Sequence, residues 1–305
     1  MNERVIMIVG PTCAGKTGVS IELARELGTE IISADSMQIY RDMDIGTEKP
    51  TQEQLAAVPH HMIDVVEPAE DFSAGEYLRT VSPIIKRLHD EGRVPVMAGG
   101  TGLYVRALTE GIFDGPDADW DLRAKLMEDS PEALYKKLAE LDPETAREQD
   151  PSNVRRLVRA LEVCINSGKK MSQLREESTK PLPYEFIKVG LYRDREELYP
   201  MIEERVDEMM ERGLLEEVRG LARRGLSRTA LQAIGYKELI AHLKGEYKLE
   251  EAVELIKRNT RRFAKRQYTW FRREEGLKWV DVTGSGTAEE AYEKVRKVLR
   301  DAGVL

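Results

Sequence analysis

Residues 10–17 read Gly10, Pro11, Thr12, Cys13, Ala14, Gly15, Lys16 and Thr17, and this eight-residue turn constrains the fold more than any other stretch of the chain. The pattern Gly-x-x-x-x-Gly-Lys-Thr holds phosphate only where a strand feeds the turn and a helix leaves it. Both are predicted here. Residues 5–9 (VIMIV) form a short apolar run fit for a buried parallel strand. Beyond the turn, Val19, Leu23 and Leu27 recur every fourth residue, as on one helix face, and Gly28 stands where a helix C-cap belongs. In that setting the backbone amides and the positive end of the helix wrap a polyphosphate. Lys16 then neutralises charge and the Thr17 hydroxyl is a ligand for Mg2+. What the phosphates are attached to stays open.

Bulk properties narrow the class. A hydrophobic content of 41% beside 33% charged residues, with no apolar run near the roughly 18 residues of a membrane span, reads as a soluble chain with no membrane partner. Met1, Asn2, Glu3 and Arg4 lead straight into the first strand, which leaves no room for a signal peptide. The two cysteines, Cys13 and Cys164, make no disulfide framework and show no zinc spacing. The expectation is a cytoplasmic protein without zinc. A net charge of −8 argues against a nucleic-acid partner, but the average misleads. Lys257, Arg258, Arg261, Arg262, Lys265, Arg266, Arg272 and Arg273 fall in one stretch that contains no Asp or Glu before Arg273.

Further along, residues 30–34 read as a second strand that ends at Asp35, Ser36, Met37 and Gln38. Residues just past strand carboxyl ends face the ligand crevice in open α/β sheets, so Asp35 is placed beside whatever the first loop holds. It is a proton acceptor, a water-mediated metal ligand, or simply the cap of a turn. A third strand is predicted over 62–66, with Asp64 a weak metal-binding candidate, and the His60–His61 pair lacks a third ligand at useful spacing. Ser73 and Glu76 make a capping box flanked by Phe72 and Tyr77, opening a helix that runs to about Gly92. Residues 93–98 give the next strand, followed by Gly99, Gly100, Thr101 and Gly102. This second glycine turn brings a hydroxyl to the same sheet edge, or else caps a helix.

The alternation of strands and helices stops at Asp114–Asp119. Residues 120–180 read as wholly helical, with starts at Ser130-Pro131 and Asp150-Pro151. Val154, Leu157, Val158, Leu161 and Ile165 supply an amphipathic stripe. Arg155, Arg156 and Arg159 on that helix are a solvated face or a nucleic-acid contact. Strand resumes over 186–191. The division expected is therefore an α/β core over 1–115, an all-helical insertion over 116–183, and a return to the core over 184–305. In the last part Leu198, Ile202 and Val206 mark a helix, and residues 248–275 a long basic one. There Phe263, Tyr268, Trp270 and Phe271 punctuate the cations, a pattern suited to a groove for a nucleic-acid backbone, with a solvated helix as the alternative. A last strand over 277–282 precedes a helix over 288–299.

Three classes use such a phosphate loop. A kinase acting on a small molecule or nucleoside would hold ATP there. A nucleotide-hydrolysing switch needs an acidic strand end better than Asp64. The third class holds the diphosphate of a leaving group and transfers the attached group to a nucleic acid; the basic helix and the helical insertion favour it, since a small-molecule kinase needs neither.

Six stretches taken together resemble the tRNA dimethylallyltransferases, also called tRNA isopentenyltransferases, and they occur in order from residue 5 to about 275. They are the phosphate loop, residues 33–40 (SADSMQIY), 44–51 (DIGTEKPT), 99–104 (GGTGLY), 232–238 (QAIGYKE) and 260–271 (TRRFAKRQYTWF). The resemblance implies a P-loop NTPase-like parallel sheet flanked by helices, and transfer of a dimethylallyl group from its diphosphate to the exocyclic amine of the adenosine just 3′ of the anticodon. It implies Mg2+, with Gly10 to Thr17 holding the donor's diphosphate. Asp35 matches the general base and Thr101 the hydroxyl near the bridging oxygen of the leaving group. Arg219, with Arg223 and Arg224 as alternatives, matches the arginine that grips the diphosphate. Contacts to tRNA are implied for Asp35, Ser36, Met37, Gln38, Thr101, Arg123, Arg159, Ala160, Leu161, Glu162, Val163, Gln232, Gly235, Tyr236 and Lys237, with Lys265 and Arg266 from the basic run. A monomer on tRNA is the family expectation, and the lack of a C-terminal zinc finger is in keeping with a bacterial enzyme.

Overall fold

The computed structural model describes residues 3–113 and 115–305. Met1, Asn2 and Asp114 lie outside the described residues, and with them part of the reading of the chain start and of the break at 114–119.

The described chain divides into two compact units, one made of Met1–Val105 with Pro183–Leu305 and the other of Arg106–Leu182. The first is built on β1 (Arg4–Val9), α1 (Lys16–Leu27), β2 (Ile31–Ser33), α2 (Gln52–Ala57), β3 (His60–His61), α3 (Ala74–Asp90), β4 (Val96–Gly99) and the start of α4 (Gly102–Thr109). The second holds α5 (Trp120–Leu126), α6 (Pro131–Leu141), α7 (Pro143–Glu148), α8 (Val154–Ser167) and α9 (Met171–Ser178). The chain then returns with β5 (Glu185–Tyr192), α10 (Arg195–Glu211), α11 (Leu214–Arg224), α12 (Tyr236–Leu243), α13 (Leu249–Phe271), β6 (Lys278–Asp281) and α14 (Ala288–Asp301). The six strands form one parallel sheet in the order β3-β2-β4-β1-β5-β6. None of the described helices is long and apolar enough to cross a membrane.

Burial explains the order. Val5, Ile6, Met7 and Ile8 are all fully buried, as a strand flanked by β4 and β5 and covered on both faces must be. Val19 and Leu23 of α1 turn inward onto that strand's cluster, and α14 completes the layer with Tyr292, Val295 and Leu299. Gly28 ends α1 at φ 59°, in the left-handed region where glycine costs least. On α3 the Ser73–Glu76 box forms, and Tyr77 goes inward, its hydroxyl donating to the Ser33 carbonyl at 2.9 Å. The ring stacks on Tyr104 at a centroid distance of 3.8 Å, which joins α3 to the first turn of α4.

Three local readings change. The third strand is His60–His61 rather than 62–66, because Met62 and Asp64 adopt φ of 64° and 54° and turn the chain out of the sheet. Asp64 then pairs with Lys49 at 2.5 Å, and His61 with Glu30 at 2.5 Å, so neither is free for a metal. Helix α8 starts at Val154 on an Asn153 cap, since Asp150 spends its carboxylate on the amide and hydroxyl of Ser152. The compact helical unit begins at Arg106, upstream of 116, because the end of α4 pairs within it: Leu182 N–H donates to the Leu108 carbonyl.

That unit has its own interior of Leu134, Leu138, Leu157, Ala160 and Leu161, whereas Ile165 of the expected stripe is exposed. Glu162 is fully buried beside this cluster and holds Arg123 through two contacts of 2.8 Å, with Arg159 as its second cation. Burial alone would raise the Glu162 pKa, but Arg123, Arg159 and the Asp119 amide together hold it below 4.5. The stabilisation is therefore present above the ordinary carboxyl value and lost as pH falls through the lower folded one. Glu162→Gln should lower unfolding free energy by about 2 kcal/mol at neutral pH, measured in urea, with the gap to the parent closing in acid. A gap independent of pH would remove the charge from the explanation.

Candidate active site

The phosphate loop leaves β1 through Gly10 at φ 145°, where a Cβ would lie 2.8 Å from the Leu191 carbonyl oxygen, so only glycine fits between β1 and β5. Cys13 is buried at φ 62°, and Gly15 caps α1 at φ 93°. These left-handed residues turn the chain tightly around a concavity lined by backbone and closed by the α1 N-terminus. Lys16 folds back over the turn, its Nζ donating to the Pro11 carbonyl at 2.6 Å. Burial of the ammonium lowers its pKa to about 8 against the pull of Asp35, with Arg205 adding to the lowering.

Two neighbouring strands deliver the reacting groups. Gly99 sits so tightly on the Ala34 backbone that a Cβ would collide with it, and the Thr101 N–H donates to the Ala34 carbonyl at 3.0 Å. The Thr101 hydroxyl oxygen accepts the Ser36 N–H at 2.9 Å. Asp35 Oδ1 accepts the Met37 N–H at 2.8 Å. Its pKa is raised because burial outweighs the help of that amide, of Lys16 and of the Gln38 amide. Gln38 is held by the Ser33 hydroxyl and by the Glu48 carbonyl, at 2.9 and 3.0 Å. Asp35, Ser36, Met37, Gln38, Gly99 and Thr101, with Thr12, Cys13, Gly15, Lys16 and Thr17, line one cavity of about 470 Å³. A half-buried carboxylate with a raised pKa, a hydroxyl and a phosphate cradle thus share a single space, the arrangement needed to take a proton on one side while anionic charge develops on the other.

The facing wall comes from the C-terminal helices. Ile202, Val206 and Met209 of α10 and Ile256 and Phe263 of α13 give it apolar surface, and Arg205 brings a cation. Arg205 lines the cavity and lies 3.8 Å from Glu48, whereas the expected Arg219 is paired with Glu216 at 2.5 Å on α11 and Arg224 with Asp42 and Glu67, and neither of these lines the cavity, nor does Arg223. The signal was present: Arg205 stands between Ile202 and Val206, at the border of the apolar stripe of its helix. Gln232 and Lys237 line the cavity, but Gly235 and Tyr236 do not. Tyr236 is buried and donates to Glu217 at 2.6 Å, and Glu217 in turn accepts the Asp44 and Ile45 amides at 3.0 and 2.8 Å. That tyrosine shapes the loop over the cavity from behind. In the helical unit Ala160, Leu161, Glu162 and Val163 are buried, and Arg123 and Arg159 are bound to Glu162, whereas Arg155 and Arg156 are exposed.

Helix α13 is less bare than its sequence. Lys257 pairs with Asp207 at 2.7 Å and Arg261 with Glu203, so acids from α10 neutralise two of its cations. Phe271 is buried, and the Tyr268 hydroxyl donates to the Arg193 carbonyl at 2.9 Å, which makes these aromatics interior rather than stacking platforms. Arg258, Arg262, Lys265 and Arg266 are exposed at helical spacing on one face, and Arg272 and Arg273 are exposed just past the end of the helix. Arg266 also reaches the cavity, above Phe263 with its guanidinium carbon 5.6 Å from the ring centre. For a metal, the described residues hold no cluster of three or more carboxylate, imidazole or thiol ligands. A single half-buried hydroxyl from Thr17 at the cavity wall fits Mg2+, which keeps its waters and takes most of its remaining oxygens from a bound diphosphate.

The sequence matches the family described as IPP transferase over residues 38–274. The chain belongs to the IPP transferase family. Among relatives, it is 49% identical over 311 residues to a tRNA dimethylallyltransferase of Thermodesulfovibrio yellowstonii, covering 99% of each chain. It is 46% identical to that of Halothermothrix orenii, covering 98% of this chain and 94% of the relative. In structure it is similar to a full-length tRNA isopentenylpyrophosphate transferase from Bacillus halodurans, with TM-score 0.73 and 41% identity over 99% of this chain and 96% of the other. A eukaryotic dimethylallyltransferase acting on tRNA superposes with TM-score 0.85 at 28% identity, over 99% of this chain and 79% of its own. The family match begins only at Gln38, after the phosphate loop and Asp35, so the N-terminal half of the site rests on the geometry above and on the full-length relatives.

Lys16 yields a direct test. Inorganic pyrophosphate, followed by calorimetry, should bind more weakly as pH rises through about 8, where the lysine loses its charge. Lys16→Arg should flatten that dependence. An unchanged alkaline break in the variant would assign the titration to another group.

Proposed function

We propose that this protein transfers a dimethylallyl group from dimethylallyl diphosphate to the exocyclic amine of the adenosine immediately 3′ of the anticodon in tRNA, releasing diphosphate. The observation that carries the reading is the sharing of one cavity by the phosphate loop, Asp35 and Thr101, beside a helix with an exposed cationic face. Membership of the IPP transferase family and the names of its relatives agree with it.

In this reading the loop amides, Lys16 and Arg205 bind the donor's diphosphate, and the Thr17 hydroxyl holds Mg2+ against it. When bound, the metal supplies positive charge to the leaving diphosphate. An aromatic exocyclic amine is a weak nucleophile, so its placement against the allylic carbon is half of the catalysis. The amine nitrogen forms a bond to that carbon, the carbon–oxygen bond to diphosphate breaks, and the amine proton passes to Asp35. Burial that raises the Asp35 pKa also strengthens it as a base. Thr101, whose oxygen accepts the Ser36 amide and whose hydroxyl donates to Ser36 Oγ at 3.3 Å, turns that hydrogen to the bridging oxygen as charge develops there.

A stacked base cannot reach the bottom of a cavity, so the adenosine is flipped out of the anticodon loop, where unstacked bases cost least to extrude. Gln38, Gln232 and Lys237 at the cavity wall are the groups that meet it. The exposed face of α13 takes the RNA backbone, Lys265 and Arg266 among its cations.

Asp35→Asn should reduce turnover by about 100-fold or more while the RNA dissociation constant stays within about twofold. Full-rate transfer by the variant would remove Asp35 as the base. Exchanging Lys265 and Arg266 for Ala should weaken RNA binding and flatten its dependence on log salt by about one to two units. An unaltered slope would return that face of α13 to solvent.

A further inference from the structure

One buried side chain joins the two halves of the cavity and belongs to the basic helix. Gln267 is 6% exposed. Its Oε1 accepts the Thr12 N–H at 2.9 Å, and its Nε2 donates to the Gly100 carbonyl at 3.0 Å. Thr12 is within the phosphate loop, next to the Pro11 carbonyl that receives Lys16. Gly100 directly precedes Thr101. A Cβ on Gly100 would run into Gln267 Nε2, so the glycine there exists to admit this amide.

Helical spacing sets the rest. Gln267 shares the inner face of α13 with Ala264 and Phe271, both buried, while Lys265 and Arg266 are exposed. The outer cations and the inner amide thus belong to one uninterrupted 23-residue helix. We propose that Gln267 is a positioning residue that couples RNA engagement by the outer face of α13 to the shape of the phosphate loop and of the Gly100–Thr101 turn. This rests on the RNA reading of that face. With RNA seated, the amide holds Thr12 and Gly100 in register, and the donor site closes on its diphosphate. Without RNA the two bonds, at 2.9 and 3.0 Å, are made by the amide alone, and the donor is held less tightly. The coupling is reciprocal, so diphosphate also tightens RNA.

The test uses inorganic pyrophosphate as the donor-site probe and an unmodified anticodon stem-loop as the RNA. In the parent protein the stem-loop should tighten pyrophosphate by about fivefold or more. Gln267→Met keeps the length and apolar burial but has no amide. It should bind pyrophosphate about tenfold more weakly in the presence of RNA, lose the RNA-dependent tightening to within about twofold, and leave RNA binding without pyrophosphate unchanged. Gln267→Glu, which keeps the acceptor for Thr12 and drops the donor to Gly100, should retain the fold and still lose the tightening, so a Met variant that fails to fold does not stop the test. Pyrophosphate binding in either variant that tracks the parent with and without RNA overturns the proposal. Failure of the parent to bind the stem-loop overturns the RNA reading and the coupling together, whereas RNA binding without any tightening overturns the coupling alone.

Discussion

The reacting edge of this protein depends on a sharp turn that only a few backbone conformations allow. Gly10 at φ 145° and Gly15 at φ 93° bracket the loop, and between them Cys13 also adopts a positive φ. Gly10 has no room for a side chain because β5 passes directly behind it. Parallel pairing of β1 with both β4 and β5 therefore does more than fill a core. It clamps the start of the loop so that residues 12–17 curl around one concavity, and it brings the ends of β2 and β4 to the same edge. Asp35 and Thr101 reach the phosphate cradle because their strands are neighbours in the sheet, although the residues are far apart in sequence.

Electrostatics at that edge are arranged around desolvation. Lys16 and Asp35 are each pushed toward neutrality by burial and each pulled back toward charge by the other. An anionic diphosphate entering the cradle would favour the charged lysine, and an amine losing a proton would find a base stronger than an exposed aspartate. Such a pair is costly in a resting protein and is put to use only when a charged ligand arrives. Arg205 contributes a second cation from a helix on the facing wall, so the ligand would be held between the sheet and the C-terminal helices rather than on the sheet alone.

Much of this was legible in the residues themselves. Continuous apolar runs located the central strands, and the phosphate loop with its flanking strand and helix appears as expected. Asp35 and Thr101 were recognisable because strand carboxyl ends face the crevice. What periodicity could not supply was pairing between distant elements. The eight cations of 257–273 look uncompensated in sequence, yet Asp207 and Glu203 of α10 neutralise two of them. The Arg219–Glu216 pair, one turn apart on the same helix, and the place of Arg205 on the cavity wall emerge only from the packed structure. Likewise Tyr236 and the 160–163 segment carry family-like sequence but are buried, a distinction set by tertiary packing. Gln267 stood inside a recognised stretch without a role, since its two partners lie more than 160 residues away.

The most direct measurement is label transfer. The protein would be incubated with Mg2+, dimethylallyl diphosphate labelled in its prenyl carbons, and an anticodon stem-loop with adenosine 3′ of the anticodon, alongside a parallel reaction with γ-labelled ATP. The account predicts prenyl label in the RNA, lost when that one adenosine is replaced by guanosine, and no phosphate transferred from ATP. Phosphate moved from ATP to an acceptor, with the RNA unlabelled, would contradict it and make the phosphate loop a kinase site.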